Sequence, residues 1–339
     1  MSHSRSKFPP VLSLLLALVL LMTSVIPSYA EVKEVRLAKQ YGLGYLPLIV
    51  MEEQNLIEKH AKATGLGDLK VTWATLGGGG AVNDALLSGS VDYISSGVAP
   101  LVVLWAKSKG TVKGVSALLS TPNYLNTNNP SVKSIRDLTD KDRIGLPTVK
   151  VSIQAIILQM AAAKEFGQDN FGKLDKLTVS MKHPDAMAAL LSGKSEITGH
   201  LTSPPFMFQE LDNKAVRTIL NSYDVLGGPH TFLVFTTSTA FHDNNPKTYA
   251  AVFAALEEAI VFINKNKRSA VEIYQKASKT KESLDDLLKE LNQPSLAYTT
   301  TPLNISKFSD FMYQTGTIKT KPASWKDLFF PNVHGKKGS

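Results

Sequence analysis

The sequence predicts an α/β fold in two lobes, each a mostly parallel sheet flanked by helices, the two joined by two hinge crossings. Three observations carry that expectation. Strand-like and helix-like segments alternate along most of the chain, the pattern of a parallel sheet with helices on both faces. The pentapeptide Ala85-Leu86-Leu87-Ser88-Gly89 recurs letter for letter as Ala189-Leu190-Leu191-Ser192-Gly193, and at the same offset, 189 − 85 = 104, Asp92 matches Glu196 and Pro100 matches Pro204. Two polar, turn-rich stretches, Ser120–Ser134 and Ser222–Pro229, divide the chain where it would pass between lobes. The lobes are therefore expected to comprise residues 31–120 with 230–339, and residues 121–229.

Before these lobes, residues 1–30 read as a targeting segment. Arg5 and Lys7 give a positive start, Val11 to Met22 an apolar run, and Ser28-Tyr29-Ala30 the small residues of a cleavage site. The run of 22 − 11 + 1 = 12 residues is shorter than the roughly 20 that span a bilayer, so a cleaved signal is expected rather than an anchor. Cleavage after Ala30 leaves 339 − 30 = 309 residues with a net charge of (37 − 2) − 29 = +6. The chain has no cysteine, so its folding rests on burial without disulfides, and no lipid-acceptor thiol follows the cleavage site. A free periplasmic protein is the expectation. Its lysines are dispersed, without an arginine block or interleaved aromatics, so nucleic acid is not an expected partner.

In the first lobe, Val32 to Ala38 alternates as a strand, and Gln40–Tyr45 is a glycine-containing loop. A helix is expected from Leu46 to Ala63, with Pro47 in its first turn. Leu69 to Thr75 is a second strand, followed by Gly77–Gly80 and a helix from Ala81 to Ser88 that ends at Gly89. Val91 to Ile94 is a strand, Ser95-Ser96-Gly97 a small-residue loop, Pro100 to Lys107 a helix and Val112 to Leu119 a strand. In the second lobe, Asp142–Leu146, Leu177–Met181, Glu196–Thr198 and Val216–Leu220 read as strands, with helices at Ile153–Phe166 and Asp185–Ser192 and an amphipathic segment at Phe206–Leu211. Thr231–Thr236 then returns as a strand. A long helix capped by Asn245-Pro246 would bury Tyr249, Val252, Phe253, Leu256, Ile260 and Ile263, with further helices at Ala270–Ala277, Leu284–Leu291 and Ile305–Tyr313.

The chemistry points to binding rather than catalysis. The glycine run is no nucleotide loop, because Gly80 is followed by Ala81 where a P-loop needs lysine, and Val82 breaks the dinucleotide pattern. Its bare N–H groups at a helix start suit a small anion; the alternative is a surface turn. Asp92 and Glu196 occupy matched places, each serving its own lobe, so structural roles are expected rather than an acid/base pair. The seven histidines show no metal-ligand spacing, and neither metal nor cofactor is expected. No serine stands in a nucleophile-elbow context. His200 is expected in the loop equivalent to Ser95–Gly97, where ligand contact and a solvated or packing histidine are both open. Lys150, before a helix start, either pairs with a ligand anion or is solvated. Tyr41 and Tyr45 either touch ligand or pack the lobe edge.

Several stretches together resemble a known family: Gly44-Tyr45-Leu46-Pro47, Gly78-Gly79-Gly80 ahead of Asp84 to Asp92, Val132 to Leu138, Asp185 to Gly193, and Ser203-Pro204-Pro205-Phe206. The chain resembles the periplasmic substrate-binding proteins of the nitrate/sulfonate/taurine ABC importers, including the aliphatic-sulfonate-binding type and its thiamine-precursor-binding relatives. The resemblance implies the two-lobed periplasmic-binding-protein fold of type II, a small ligand between the lobes, a monomer, and permease and ATPase partners. It maps the ligand segments to Tyr41–Tyr45, Gly77–Gly80, Ser95–Gly97, Thr148–Ser152 and His200–Ser203. The candidate set is Tyr41, Gly42, Tyr45, Gly78, Gly79, Ser95, Ser96, Gly97, Thr148, Lys150, Ser152, His200 and Thr202, with Tyr223 from the second crossing. A small organic anion such as a sulfonate leads. A pyrimidine precursor of the thiamine type, an enzyme of precursor synthesis on the same scaffold, and a sensor-associated binder remain alternatives. Glu196 stands where many relatives carry Asp, Gly199-His200-Leu201-Thr202 matches no ligand pattern, and the cysteine-rich motif of the precursor synthases is absent.

Overall fold

The computed structural model describes residues 31–339, so the expected signal segment lies outside the described residues. The strands form two sheets. The first holds β1 (Glu34–Lys39), β2 (Lys70–Thr75), β3 (Tyr93–Gly97), β4 (Val112–Ser120), β10 (Thr231–Ser238) and β11 (Ala297–Tyr298), in the order β11-β4-β10-β3-β1-β2. The second holds β5 (Tyr124–Thr127), β6 (Ile144–Leu146), β7 (Thr178–Ser180), β8 (Gly199–Thr202) and β9 (Arg217–Asn221), in the order β7-β6-β8-β5-β9. The α/β class with two sheets matches the sequence expectation. Each sheet is mixed, for one shared reason. The chain crosses twice, and each crossing drives a strand antiparallel into the other sheet: β5 between β8 and β9, β10 between β3 and β4.

The polar side chains of the crossings bond to neighbouring elements in addition to the strand ladder. The stretch expected as a bare crossing, Ser120–Ser134, contains β5. Its polar character hid the strand: Asn126 is fully buried, and its amide bonds Met207 O and Glu210. The second crossing contains a short helix, Ser222–Leu226, capped by the Asn221 side chain.

Other expectations shift for local reasons. The helix expected over Leu46–Ala63 is two, Leu46–Glu53 and Leu56–Ala63, broken where Asn55 adopts a left-handed φ of 49°. The break lets Leu48 and Ile57 both reach the core, where the Pro246–Lys265 helix packs over them. That long helix is not capped by Asn245. Glu31 caps it instead, its carboxylate accepting from the backbone N–H groups of Lys247 and Thr248. Ser95-Ser96-Gly97 is no loop but the end of β3, since small side chains fit between β1 and β10. The strand expected at Glu196–Thr198 begins at Gly199. Glu196 is exposed beyond the Ser192–Ser195 turn, where Ser195 Oγ accepts from Ile197 N.

Candidate functional site

Four helices begin where the two sheets face each other. Gly79–Leu87 and Val98–Lys107 come from the six-stranded half, Ile153–Phe166 and His183–Ser192 from the five-stranded half. Gly79, Gly97, Ser152, Ile153 and His183, all at those helix starts, line one narrow cleft together with Gln40, Tyr45, Gln154 and Ser203. No charged side chain lies in that lining among the described residues. The halves touch across it. Leu43 N donates to Pro204 O at 3.1 Å, and Gly80 N faces Thr148 Oγ1 at 3.4 Å. The enclosed space is about 10 Å³, room for about one water. Beside it opens a wider hollow of about 500 Å³, walled by Tyr41, Glu52, Glu53, Phe206, Gln209 and Tyr274 among others.

Six of the fourteen sequence-derived candidates line these places. Tyr45, Gly79, Gly97 and Ser152 line the cleft, and Tyr41 and Gly42 the wider hollow. The glycines are there for contact between elements. A Cβ on Gly97 would stand 2.6 Å from Ile153 Cβ, and one on Gly78 2.7 Å from Pro147 O and Thr148 Oγ1, all across the halves. On Gly79 it would meet Pro100 within the same half. Gly42, at φ 118°, lies under Pro204 O. Ser152 caps its helix by accepting from Ala155 N at 3.3 Å. Ser95 and Ser96 are buried in β3, and Gln40 Nε2 donates to Ser95 O. Thr202 is buried in β8, its carbonyl accepting from Asn123 Nδ2.

Eight candidates line neither place: Gly78, Ser95, Ser96, Thr148 and Thr202, and three more. Lys150 is exposed at φ 60° and lines neither hollow. Tyr223 binds the crossings together: its hydroxyl is 3.0 Å from Ser120 Oγ and donates to Ser295 O. His200 is not in a loop; it lies in β8, fully buried, behind the cleft wall.

What His200 joins was not legible from spacing. Gln154 Nε2 lies 3.3 Å from His183 Nε2, His183 Nδ1 lies 2.8 Å from His200 Nε2, and His200 Nδ1 meets Glu210 Oε1. Asn126 Nδ2 donates to Glu210 Oε2 at 2.9 Å, and Thr218 Oγ1 donates to Asn126 Oδ1 at 2.7 Å. Burial pushes the Glu210 carboxyl up to about 8 and His200 down to about 3; it also drives His183 well below the usual imidazole range, with His200 adding to the effect. Those directions keep both rings uncharged, so the His200–Glu210 contact is a hydrogen bond rather than an ion pair. One signal pointed to His183: it is the residue 183 − 79 = 104 beyond Gly79, the offset of the repeat. Gln154, Glu210 and Asn126 carry no such mark.

The matched acids have separate fates. Asp92 holds Arg36 through two side-chain bonds, Nε at 3.1 Å and Nη2 at 2.7 Å, a structural role. Among the described residues no group of three or more His, Asp or Glu is arranged to hold a metal ion, and no helix is long and apolar enough to cross a membrane.

Two mixed sheets meeting at helix starts form the periplasmic-binding-protein fold, and solved structures agree. The alkanesulfonate-binding protein SsuA of Xanthomonas axonopodis pv. citri, bound to MOPS, aligns with a TM-score of 0.64 at 17% identity, covering 85% of this chain and 95% of that one. The periplasmic aliphatic sulphonate binding protein SsuA of Escherichia coli gives 0.63 at 16% identity, over 88% and 92%. The periplasmic nitrate-binding protein NrtA of Synechocystis gives 0.67 at 17% identity, over 88% and 84%. At these identities the likeness is one of fold. The sequence matches the NMT1-like family over residues 28–277, and the chain belongs to that family. No curated protein matches it.

Proposed function

We propose that this protein is the solute-binding component of an ABC importer, held free in the periplasm after cleavage near Ala30, and that it captures a small organic anion between two lobes. The lobes are residues 31–120 with 230–339, and residues 121–229. One observation carries the reading: four helix N-termini, two from each sheet, converge on one uncharged cleft. Each helix start is the positive end of a dipole with unpaired N–H groups, so together they favour negative charge without a fixed counter-ion. Because the donors come from both halves, an anion would bridge them and favour closure. The closed monomer would then dock on the permease and its ATPase. The role is binding, not turnover.

A second reading rests on the wider hollow. Its aromatic walls, Tyr41, Phe206 and Tyr274, with Glu52 and Glu53, suit a pyrimidine precursor carrying amino groups. A thermal-shift panel separates the two. At about 100 times its Kd a true ligand adds roughly 2.7 kcal/mol. Sulfonates, nitrate or carboxylates should raise the melting point, and Gln154→Ala should weaken that shift while Tyr41→Ala leaves it. A response to pyrimidines alone, lost in Tyr41→Ala, would replace the anion reading, and conversion of a bound compound would end the receptor reading.

A further inference from the structure

The side chains behind the cleft wall have a fixed end and a free end. Asn126 Nδ2 donates to both Met207 O and Glu210 Oε2, while its Oδ1 accepts from Thr218. Its orientation is thereby set, so Glu210 Oε2 is always an acceptor. Any proton that Glu210 carries must therefore sit on Oε1, facing His200 Nδ1. At the other end, Gln154 and His183 line the cleft.

Proton counting allows only two settings of this line. With Glu210 ionised, Oε1 accepts from His200 Nδ1–H. His200 Nε2 is then bare and accepts from His183 Nδ1–H, and the bare His183 Nε2 accepts from the Gln154 amide nitrogen. In that setting the bond joins Gln154 Nε2 and His183 Nε2, which stand 3.3 Å apart. Adding one proton at His183 Nε2 reverses every bond. The His183 Nδ1 proton passes to His200 Nε2, and the His200 Nδ1 proton passes to Glu210 Oε1. The line goes from one negative charge to none, and neither ring becomes a cation. His183 Nε2–H now needs an acceptor, so the Gln154 amide must turn over and direct its NH₂ group away from the ring.

We propose that Glu210, through His200 and His183, sets the hydrogen-bonding polarity of Gln154 at the cleft, and that uptake of one proton turns this wall from acceptor to donor. Gln154 and His183 are the recognition groups; His200 and Glu210 position them. Only the protonated setting suits an anion or another acceptor-bearing ligand, so capture of such a ligand is linked to uptake of one proton. This rests on reading the cleft as the ligand site. The side chains that meet the line at its ends are uncharged: Asn126 donates to Glu210, Gln154 lies against His183 Nε2, and Phe206 stacks on the His183 ring. The two depressed imidazoles keep either ring from holding a second proton, and the raised carboxyl brings the change near neutrality.

The test needs no ligand. Long-range ¹H–¹⁵N spectra of the ring-labelled protein, assigned with His183→Asn and His200→Asn, report each tautomer at about pH 6 and about pH 9.5. Both rings should be Nε2–H at the lower pH and Nδ1–H at the higher, and cross-peaks between the Gln154 amide protons and the His183 ring should be strong only at the higher. E210Q, whose amide donates to His200 Nδ1, should hold both rings Nε2–H throughout. Unchanged tautomers, unchanged cross-peaks, or E210Q switching like the wild type would each overturn the proposal. If E210Q does not fold, the wild-type titration decides. Failure of the thermal-shift panel would remove the receptor reading while leaving these spectra as measured.

Discussion

The two halves share a layout and differ where they face each other. The strand order β2-β1-β3-β10-β4 in one corresponds to β7-β6-β8-β5-β9 in the other. The helices at Gly79–Leu87 and His183–Ser192 begin at matched residues, 183 − 79 = 104, and Ser96 in β3 matches His200 in β8, 200 − 96 = 104. So the positions that hold Gly79 and Ser96 in the first half hold two hydrogen-bonded histidines in the second. One wall lets backbone approach closely; the other carries a buried polar line. A repeated scaffold thus supplies paired helix starts from both sides, and divergence at two matched positions makes only one side responsive to protons.

The sharpest way to break that contrast is to truncate the matched pair. His200→Ala leaves His183 Nδ1 and Glu210 Oε1 without partners in a sealed core and opens a cavity, a loss of about 3–5 kcal/mol. Ser96→Ala should cost less than about 1 kcal/mol, because its hydroxyl has only a 3.4 Å contact with the neighbouring Gly97 O. Urea unfolding of both variants measures the difference. Equal losses would mean that the histidine line is not the distinguishing feature of the second half.

A pH profile separates the members of that line. A carboxyl raised from 4.5 to about 8 in the fold contributes stability that is complete below 4.5 and is lost as pH rises through about 8. An imidazole lowered from 6.5 to about 3 contributes stability that is present above 6.5 and is lost as pH falls through about 3. Wild-type protein should therefore lose on the order of 2–4 kcal/mol between about pH 5 and pH 9 beyond what E210Q loses. The acid limb should be unchanged in E210Q. Denaturation midpoints across pH test both statements, and a flat alkaline difference would refute the Glu210 assignment.

The two halves were legible in the sequence, and the polar line within the second was mostly not. Apolar alternation, Gly89 and Gly193 as helix stops, and the repeated pentapeptide are local signals, and local signals place elements. Ser95 and Ser96 misled because burial between two strands cannot be read from a polar side chain, and Asn126 hid β5 in the same way. Of the four helix starts at the cleft, Ile153 stands where it was expected, behind Ser152; the other three, Gly79, Val98 and His183, come two residues before the expected Ala81, Pro100 and Asp185. Glu210 was invisible because its partner His200 lies on another element, brought near only by the tertiary packing of the Phe206–Leu211 helix against the second sheet. Composition could not show that a glutamate in an amphipathic segment points inward.

Glycine substitutions sharpen the difference between contact across the halves and contact within one. A Cβ at residue 97 meets Ile153 in the opposite half, a clash that opening relieves. Gly97→Ala should then leave the unfolding free energy within about 1 kcal/mol of wild type but enlarge the radius of gyration in solution scattering. At residue 79 the obstacle is Pro100 in the same half, which opening cannot relieve. Gly79→Ala should cost about 1–3 kcal/mol with the scattering profile unchanged. If both variants open, or neither does, the contacts at residue 97 do not limit closure.

The smallest effect is expected at Lys150, the one cation among the sequence-derived ligand candidates. Its side chain is exposed and its backbone sits in the left-handed region at φ 60°, a conformation that glycine adopts without strain. Lys150→Gly should therefore be neutral to stabilising by up to about 1 kcal/mol, whereas Lys150→Ala should stay within about 0.5 kcal/mol of wild type. If four helix starts suffice to hold an anion, neither substitution should diminish a ligand-induced rise in melting temperature. A loss of that rise in both, with stability intact, would show that the second half reaches the ligand with a full charge. The uncharged cleft would then be only part of the site.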